Sequence, residues 1–362
     1  MRCNKEHNGE VCIVGKVLVI EKPRQISFEE YQERELKENE VRLKTLYSGI
    51  SAGTQLTVYR GTNPYDKKKW NAKLRIFEQT QDNNHSIYPV KGAWAYEEVG
   101  VVVEVGSNVK NVEKGDIIYG TWGHRTTNIV SEEFAINHKL PPGLNPIVGI
   151  YSQMGAIALN AILDADIHIG ETVAVFGQGV PGHIVTQMAR LNGARVIAVD
   201  LDDYRLEFSK KFGADVILNS GKCDVAKEIK ALTDNKGADI CIEISGSDQA
   251  LHQAIRSTTY NGRVVCSGFL QGAANHLYLG EEFHHNRINI VCSQIEAVNP
   301  AISYRWSRLR MEKTVMALAK SGRLDLESLI THVIPFKEGA KAYDMLDKRV
   351  EKCLQVVLKF EE

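Results

Sequence analysis

Residues 171–200 read ETVAVFGQGVPGHIVTQMARLNGARVIAVD. Thr172–Phe176 is a short apolar run rich in β-branched residues, the pattern of a buried parallel strand. Gly177, Gly179 and Gly182 follow in G-x-G-x-x-G spacing. Residues 184–191 then read as a helix, and 195–199 as a second buried strand closed by Asp200. The first glycine of such a turn permits the sharp exit from the strand, the second lets backbone approach a pyrophosphate, and the third lets the helix pack on the sheet. Val180 and Pro181 lie in this turn, and the helix start offers free N–H groups and positive partial charge to phosphates. Glycine turns after strands are common. It is the strand before, the helix after and the acid closing the next strand that make this a dinucleotide site. A carboxylate at Asp200 accepts from the adenosine ribose hydroxyls and repels a 2′-phosphate, so NAD is expected over NADP. The Arg205 guanidinium is able to hold a phosphate; beside Asp200 it is expected over the ribose or its 3′-side.

With 362 residues the chain exceeds one ordinary core, so two domains are expected. Apolar content of 43% and charged content of 25% are those of a soluble globular protein. A net charge of −1 gives no general attraction to nucleic acid or to an anionic membrane, and no helix-turn-helix or basic stripe supports a DNA-binding role. No run is expected to reach membrane-spanning length. The first ten or so residues lack an apolar signal core and read as a flexible extension. The cysteines (Cys3, Cys12, Cys223, Cys241, Cys266, Cys292 and Cys353) are scattered, odd in number and without a C-x-x-C pair. That argues against a disulfide framework and a clustered zinc lobe, and places the protein in the cytoplasm. Cys241, Cys266, Cys292 and Cys353 sit in apolar runs and read as small buried hydrophobes.

Residues 14–130 read as short strands with closely spaced turns, as in a compact barrel, interrupted by a short helix before Gly61. Residues 62–90 carry prolines, charges and amides without a clear period and suggest a functional lid. From Pro146 the pattern turns helical, and after the central unit strands and helices alternate to Cys292, which predicts a doubly wound parallel sheet. Residues 304–321 read as one helix, and strand, helix and strand follow to Leu358.

This order, with Tyr47-Ser48-Gly49-Ile50, GVVVEVG at 100–106, Lys114-Gly115-Asp116, Phe212-Gly213-Ala214-Asp215, NGRVVCSG at 261–268 and Ile330-Thr331-His332, resembles the medium-chain dehydrogenase/reductase superfamily over nearly the whole chain. The resemblance implies an α/β fold: a Rossmann doubly wound parallel sheet over 151–295, plus a β-rich GroES-like catalytic domain formed by 1–150 and 296–362. Ser245-Gly246 and Gly268-Phe269 follow parallel strands and by resemblance flank the nucleotide, with Ser293 at the carboxamide. Zinc members carry a cysteine where this chain has Ser51 and His-Glu where it has Tyr96-Glu97; their third ligand falls near 149–152, which here reads Gly-Ile-Tyr-Ser. Catalytic zinc needs three protein ligands drawn from Cys, His and carboxylate, so the resemblance implies a zinc-free member. The Gly-Ile-Ser-Ala-Gly-Thr stretch, the Tyr-Glu pair and Ser293-Gln294…Trp306…Arg308 resemble a branch with bacteriochlorophyllide dehydrogenases and sugar-alcohol or cyclitol oxidoreductases.

Without a metal, a side chain must handle the hydroxyl proton during hydride transfer. Tyr96, in the place of a metal-ligating histidine, is the first candidate; a packed barrel tyrosine is the plain alternative. Glu97 orients or deprotonates substrate, or is structural. His124, in a glycine turn after a strand, is a neutral-pH proton shuttle or an exposed loop histidine. Ser51 hydrogen-bonds a substrate hydroxyl. Tyr151 and Gln153 are further lining candidates, the Arg305–Arg308 cluster touches substrate, solvent or a second subunit, and His284-His285 is too isolated for a metal site. The expected protein is an NAD(H)-dependent oxidoreductase that interconverts a secondary alcohol and its ketone, as a homodimer or homotetramer acting on a small molecule. The rivals are an enone or quinone reductase and a catalytically silent NAD(H)-binding regulator.

Overall fold

The computed structural model describes residues 14–79, 86–349 and 352–361. The expected N-terminal extension, with Cys3 and Cys12, lies outside the described residues. The chain forms two compact units, Met1–Tyr151 with Ile330–Glu362, and Ser152–Leu329.

In the first unit β1 (Val14–Lys22) pairs antiparallel with β2 (Gln25–Gln32), the expected hairpin around residues 22–24. β3 (Glu40–Ile50) ends at Ser51, which opens α1 (Ala52–Arg60), and Gly61 closes that helix at φ 74°. Residues 62–90 are not structureless: β4 (Lys68–Asn71) and β5 (Ile76–Gln79) form an antiparallel hairpin within them. β6 (Val90–Lys91) pairs with β1. β7 (Glu98–Val105), β8 (Ile117–Gly120) and β9 (Thr127–Ser131) follow, then α2 (Glu132–Asn137). β3 is the hub, pairing with both β7 and β9.

The second unit runs α3 (Tyr151–Ala165), β10 (Thr172–Phe176), α4 (Val180–Leu191), β11 (Arg195–Asp200), α5 (Asp203–Lys211), β12 (Val216–Asn219), α6 (Val225–Ala231), β13 (Ala238–Glu243), α7 (Asp248–Ser257), β14 (Thr258–Cys266), β15 (Asn289–Cys292) and α8 (Arg308–Lys320). Its sheet has the order β12-β11-β10-β13-β14-β15 with parallel pairs throughout, the doubly wound arrangement, so the chain reverses direction of growth beside β10. The chain then returns through β16 (Ile330–Pro335), α9 (Gly339–Lys348) and β17 (Gln355–Lys359), which pairs antiparallel with β3.

The expected return at 296 is corrected to 330, and the first boundary falls after Tyr151 rather than 150. Residues 296–329 are held by packing that the sequence does not advertise. A Cβ on Gly155 of α3 would meet Val315 of α8 at 2.4 Å. The Gln187 side chain of α4 bonds the Asp325 backbone twice, at 3.1 and 2.8 Å. α8 also starts at Arg308, not 304, because the Ser307 hydroxyl accepts from the Arg310 N–H and caps it there. Cys292 is exposed, not buried, because β15 is the edge strand. One run does reach membrane-spanning length and apolarity, Pro146–Ala165, but 83% of its most apolar window is buried within the protein. A core helix covered on all sides has the same composition as a membrane span.

Candidate functional site

In the second unit the glycine turn takes the form its spacing implies. Gly177 has φ 97° and a Cβ there would meet the Ser245 backbone at 2.9 Å. A Cβ on Gly182 would lie 1.8 Å from the Gly177 carbonyl oxygen, so only glycine lets α4 start this close to the strand. A Cβ on Gly179 would meet nothing nearer than Pro181 Cδ at 3.8 Å. The space in front of that residue is therefore open, and the helix start at Val180 and Pro181 faces a cradle suited to a pyrophosphate. Gln178 fixes the turn from inside: its Nε2 donates to Val175 O, and its Oε1 accepts from the Thr186 and Ser209 hydroxyls.

Asp200 closes β11 with its carboxylate already oriented. Oδ2 accepts from the Gln178 N–H at 2.6 Å and Oδ1 from the Asp202 N–H at 2.9 Å. Each oxygen keeps a lone pair for a ribose hydroxyl. Arg205 lies 3.8 Å from Oδ2 and so is an ion-pair partner of Asp200. Ser245-Gly246 and Gly268-Phe269 lie beyond the carboxyl ends of β13 and β14, and a Cβ on Gly268 would strike the Gly246 N at 2.2 Å. Sequence reasoning missed what holds this loop. Buried Glu243, the last residue of β13, accepts through Oε1 from Ser245 N, Ser245 Oγ and Gly246 N, and burial raises its pKa. The available signal was a carboxylate ending an otherwise apolar strand. The Ser293 hydroxyl accepts from Asn160 Nδ2 at 3.0 Å, in a buried group with Asp164.

In the first unit the β3–α1 corner collects polar groups. Ser51 stands at the N-cap of α1, yet its hydroxyl makes no cap bond. A cap serine usually contributes about 0.5–2 kcal/mol through that bond. Here Oγ lies 2.5 Å from the Tyr96 hydroxyl instead, with Thr54 Oγ1 at 3.3 Å from the same phenol. Burial pushes the Tyr96 pKa up to about 12, and the Glu97 charge adds to it. Tyr96 thus keeps its proton at neutral pH and is a hydrogen-bond donor.

Glu97 is fully buried, with Oε2 accepting from Gln355 Nε2 at 3.2 Å and Oε1 without a partner among the described residues. Burial, then the neighbouring Glu98, raises its pKa to about 8. Gly49 permits this packing, since a Cβ there would meet Glu97 Oε2 at 2.2 Å.

His124 is neither an exposed loop residue nor a neutral-pH shuttle. It is fully buried, and burial pulls its pKa down to about 3, so the ring stays neutral. It belongs to a second polar set that the sequence did not reveal. Nδ1 lies 2.6 Å from Ser48 Oγ, which donates to Glu98 Oε1 at 2.8 Å; Nε2 lies 2.9 Å from Gln55 Oε1 and 3.0 Å from the Tyr343 hydroxyl. Glu98 Oε2 also accepts from Trp122 N at 2.7 Å, while burial raises the Glu98 pKa to about 7. The Ser48 hydroxyl has one proton, so it donates to Glu98 or to His124 Nδ1 but not to both, and when Nδ1 is the acceptor Nε2–H donates to Gln55 Oε1.

The structure therefore brings Ser51, Thr54 and Tyr96 into one set and groups His124 with Ser48, Gln55, Glu98 and Tyr343. Tyr151 is buried in the core and Gln153 nearly so. Hydroxyls at Ser51 and Tyr96 are not the Cys, His or carboxylate donors that a catalytic zinc takes, so the residues present do not fit that metal. Among the described residues, His252, Glu281 and Glu282 do bring ligand-type atoms within 4.8 Å of one another, in the second unit.

The zinc-binding dehydrogenase family matches residues 181–306, within the second unit and clear of Ser51 and Tyr96. The D-guloside 3-dehydrogenase of Escherichia coli strain K12 is 32% identical over 353 residues, covering 95% of this chain and 100% of the relative. Among solved structures, an Escherichia coli oxidoreductase/dehydrogenase of unknown specificity superposes with a TM-score of 0.77 at 21% identity, covering 97% and 100% of the two chains. The 2R,3R-butanediol dehydrogenase of Bacillus subtilis does so with 0.75 at 23%, covering 95% and 99%.

Proposed function

The chain belongs to the medium-chain dehydrogenase/reductase superfamily, and from that premise we propose that it is a zinc-independent, NAD(H)-dependent oxidoreductase interconverting a secondary alcohol and its ketone on a polyhydroxylated substrate such as a sugar alcohol, amino sugar or cyclitol. The observation that carries this reading is the Ser51–Tyr96 hydroxyl pair at 2.5 Å, standing where metal-dependent relatives hold their ligands. The bound nicotinamide supplies or accepts the hydride. In ketone reduction the protonated phenol of Tyr96 gives its proton to the carbonyl oxygen, and the Ser51 hydroxyl donates to the tyrosinate left behind; oxidation runs the same step in reverse, the alcohol proton passing to that tyrosinate. The similarity to a dehydrogenase named for D-guloside supports a sugar-like substrate. Asp200 favours NAD and so opposes the enone or quinone reductase reading, in which NADPH is usual. A catalytically silent regulator would bind NADH and reduce nothing.

The deciding experiment is an NADH absorbance screen across polyols, amino sugars, glycosides and enones, with elemental analysis of the purified protein. Turnover of alcohols that survives chelation, without stoichiometric zinc, is the expected outcome. One zinc per chain whose removal abolishes turnover sinks the zinc-independent mechanism. The protein is expected in the cytoplasm as a homodimer or homotetramer. The exposed residues Asn289, Ile290 and Cys292 on the edge strand β15 support this, because an open sheet edge invites pairing across a two-fold axis. Light scattering that gives a single-chain mass at micromolar concentration contradicts it.

A further inference from the structure

Four aromatic rings of the first unit form a continuous ladder at its surface. Trp70 and Phe77 are cross-strand partners in the β4–β5 hairpin, with ring centroids 4.9 Å apart. Tyr65 stacks on Phe77 at 5.4 Å, and Trp94 lies 6.4 Å from Tyr65. All four are exposed, from 37% for Trp94 to 49% for Trp70. Exposed aromatic surface in a connected row is unfavourable in water unless something covers it.

The ladder is held in place. Asn71 Oδ1 accepts from the Lys73 and Leu74 N–H groups, and its Nδ2 donates to Glu78 at 3.0 Å. Asn63 accepts from the Tyr65 N–H and donates to Thr57 Oγ1 at 2.7 Å, tying the Tyr65 turn to α1, the helix that carries Thr54. At the other end Ala93 and Trp94 both take left-handed backbone, φ 55° and 54°, which costs free energy in residues with side chains. The result is an exposed Trp94, a buried Ala95 and a half-buried Tyr96. Trp94 stands two residues before Tyr96 in the chain, so the ladder ends within about 7 Å of backbone from the proposed acid.

We propose that this ladder is the binding platform for the part of a glycoside that lies beyond the oxidised ring, which makes glycosides rather than free polyols the substrate class; the inference rests on the alcohol-oxidising reading above. A pyranose offers a face of C–H groups and a rim of hydroxyls. Its recognition takes an aromatic face bordered by hydrogen-bonding groups. Trp70 and Phe77 share their side of the hairpin with Lys68 and Gln79, by alternation along the two paired strands. A protein partner fits less well. Each ring presents under half of the roughly 150–250 Å² that an aromatic side chain buries, and the row falls short of the about 800 Å² per partner of a stable interface.

The test titrates phenyl glycosides of the common hexoses and the matching free hexoses into the NAD-saturated protein, followed by tryptophan fluorescence, for wild type, Phe77→Ala and Phe77→Tyr. The kcat/KM ratio of glycoside over hexose is measured in parallel. The expected result is a loss of glycoside preference of about tenfold in Phe77→Ala, the scale of one lost ring stack, with recovery in Phe77→Tyr. Selective glycoside binding without turnover of any of these compounds removes the alcohol-oxidising reading and leaves the platform standing. A preference equal in all three proteins overturns the platform. So does a change of oligomeric state in Phe77→Ala by light scattering, which assigns the rings to a subunit contact.

Discussion

The glycine turn of the second unit and the polar corner of the first present ligand-binding groups in opposite ways. Gly177, Gly179, Gly182 and Asp200 lie within one strand–helix–strand unit, and their partners Gln178 and Asp202 are chain neighbours. Ser51, Tyr96, Glu97, His124, Tyr343 and Gln355 are scattered over the whole length of the first unit and are brought near their partners by distant contacts: the pairing of β3 with β7, β9 and β17, and the meeting of α9 with His124. A locally built site tolerates change elsewhere in the chain. A site assembled at a distance depends on every strand pairing that delivers it, and it can bury carboxylates and a histidine side by side because backbone and side-chain donors surround them.

The sharpest way to break this comparison is at Tyr96. Tyr96→Phe removes the phenol while leaving the glycine turn intact. Turnover is expected to fall roughly 100- to 10,000-fold, the usual worth of a general acid–base group, with NADH affinity moving less than about twofold. Stopped-flow turnover and NADH titration measure the two separately. Equal loss in both would mean that the two regions are not functionally separable in this way.

Asp200 tests the other region. Wild type is expected to bind NAD(H) about a hundredfold more tightly than NADP(H), since a like-charge contact costs several kcal/mol. Asp200→Asn removes the repulsion and frees Arg205 from its ion pair at 3.8 Å, so the preference is expected to collapse or reverse. Calorimetric titration with both cofactors decides it; an unmoved ratio discards the role given to Asp200.

The smallest effect is in stability against pH. The Glu98 pKa is raised in the fold, to about 7 from 4.5, so its contribution is fully present below 4.5 and is lost as pH rises through 7. His124 has the opposite sign. Its pKa is depressed to about 3, so its contribution is present above 6.5 and is lost as pH falls through 3. Glu98→Gln mimics the protonated acid, with its amide N–H donating to Ser48. Between pH 6 and 8 the wild-type Tm is expected to fall more than that of the variant, by about 1–2 °C on the scale of 1 kcal/mol in a chain of 362 residues. Parallel melts across that range check it; identical slopes would place the Glu98 titration outside the window.

Much of the fold was legible because its signals are local. The strands from Thr172–Phe176 to Asn289–Cys292 and their alternation with helices followed from short apolar runs and turn residues. Ser51 and Tyr96 stood out in the sequence through the resemblance, as departures from its expected metal-ligand residues, but their bond to each other was not legible. Nothing near His124 in the chain announces that Ser48, Gln55, Glu98 and Tyr343 surround it, so an isolated histidine in a glycine turn read as an accessible base. Cys292 failed for a related reason: its apolar neighbours say strand, and only the sheet order says edge.

By itself, then, the sequence determined the second unit's βαβ core, its nucleotide turn and the absence of Cys and His at the expected metal-ligand positions, because period, glycine spacing and residue type act within a few turns of chain. Tertiary structure alone decided where the chain returns, that 296–329 pack in the second unit, that Ser51 serves Tyr96 rather than its own helix, and that burial keeps His124 neutral at neutral pH. Those are properties of burial and of contacts between distant residues. Desolvation in particular has no local signature, since the same side chain keeps or loses its charge according to what the rest of the chain packs around it.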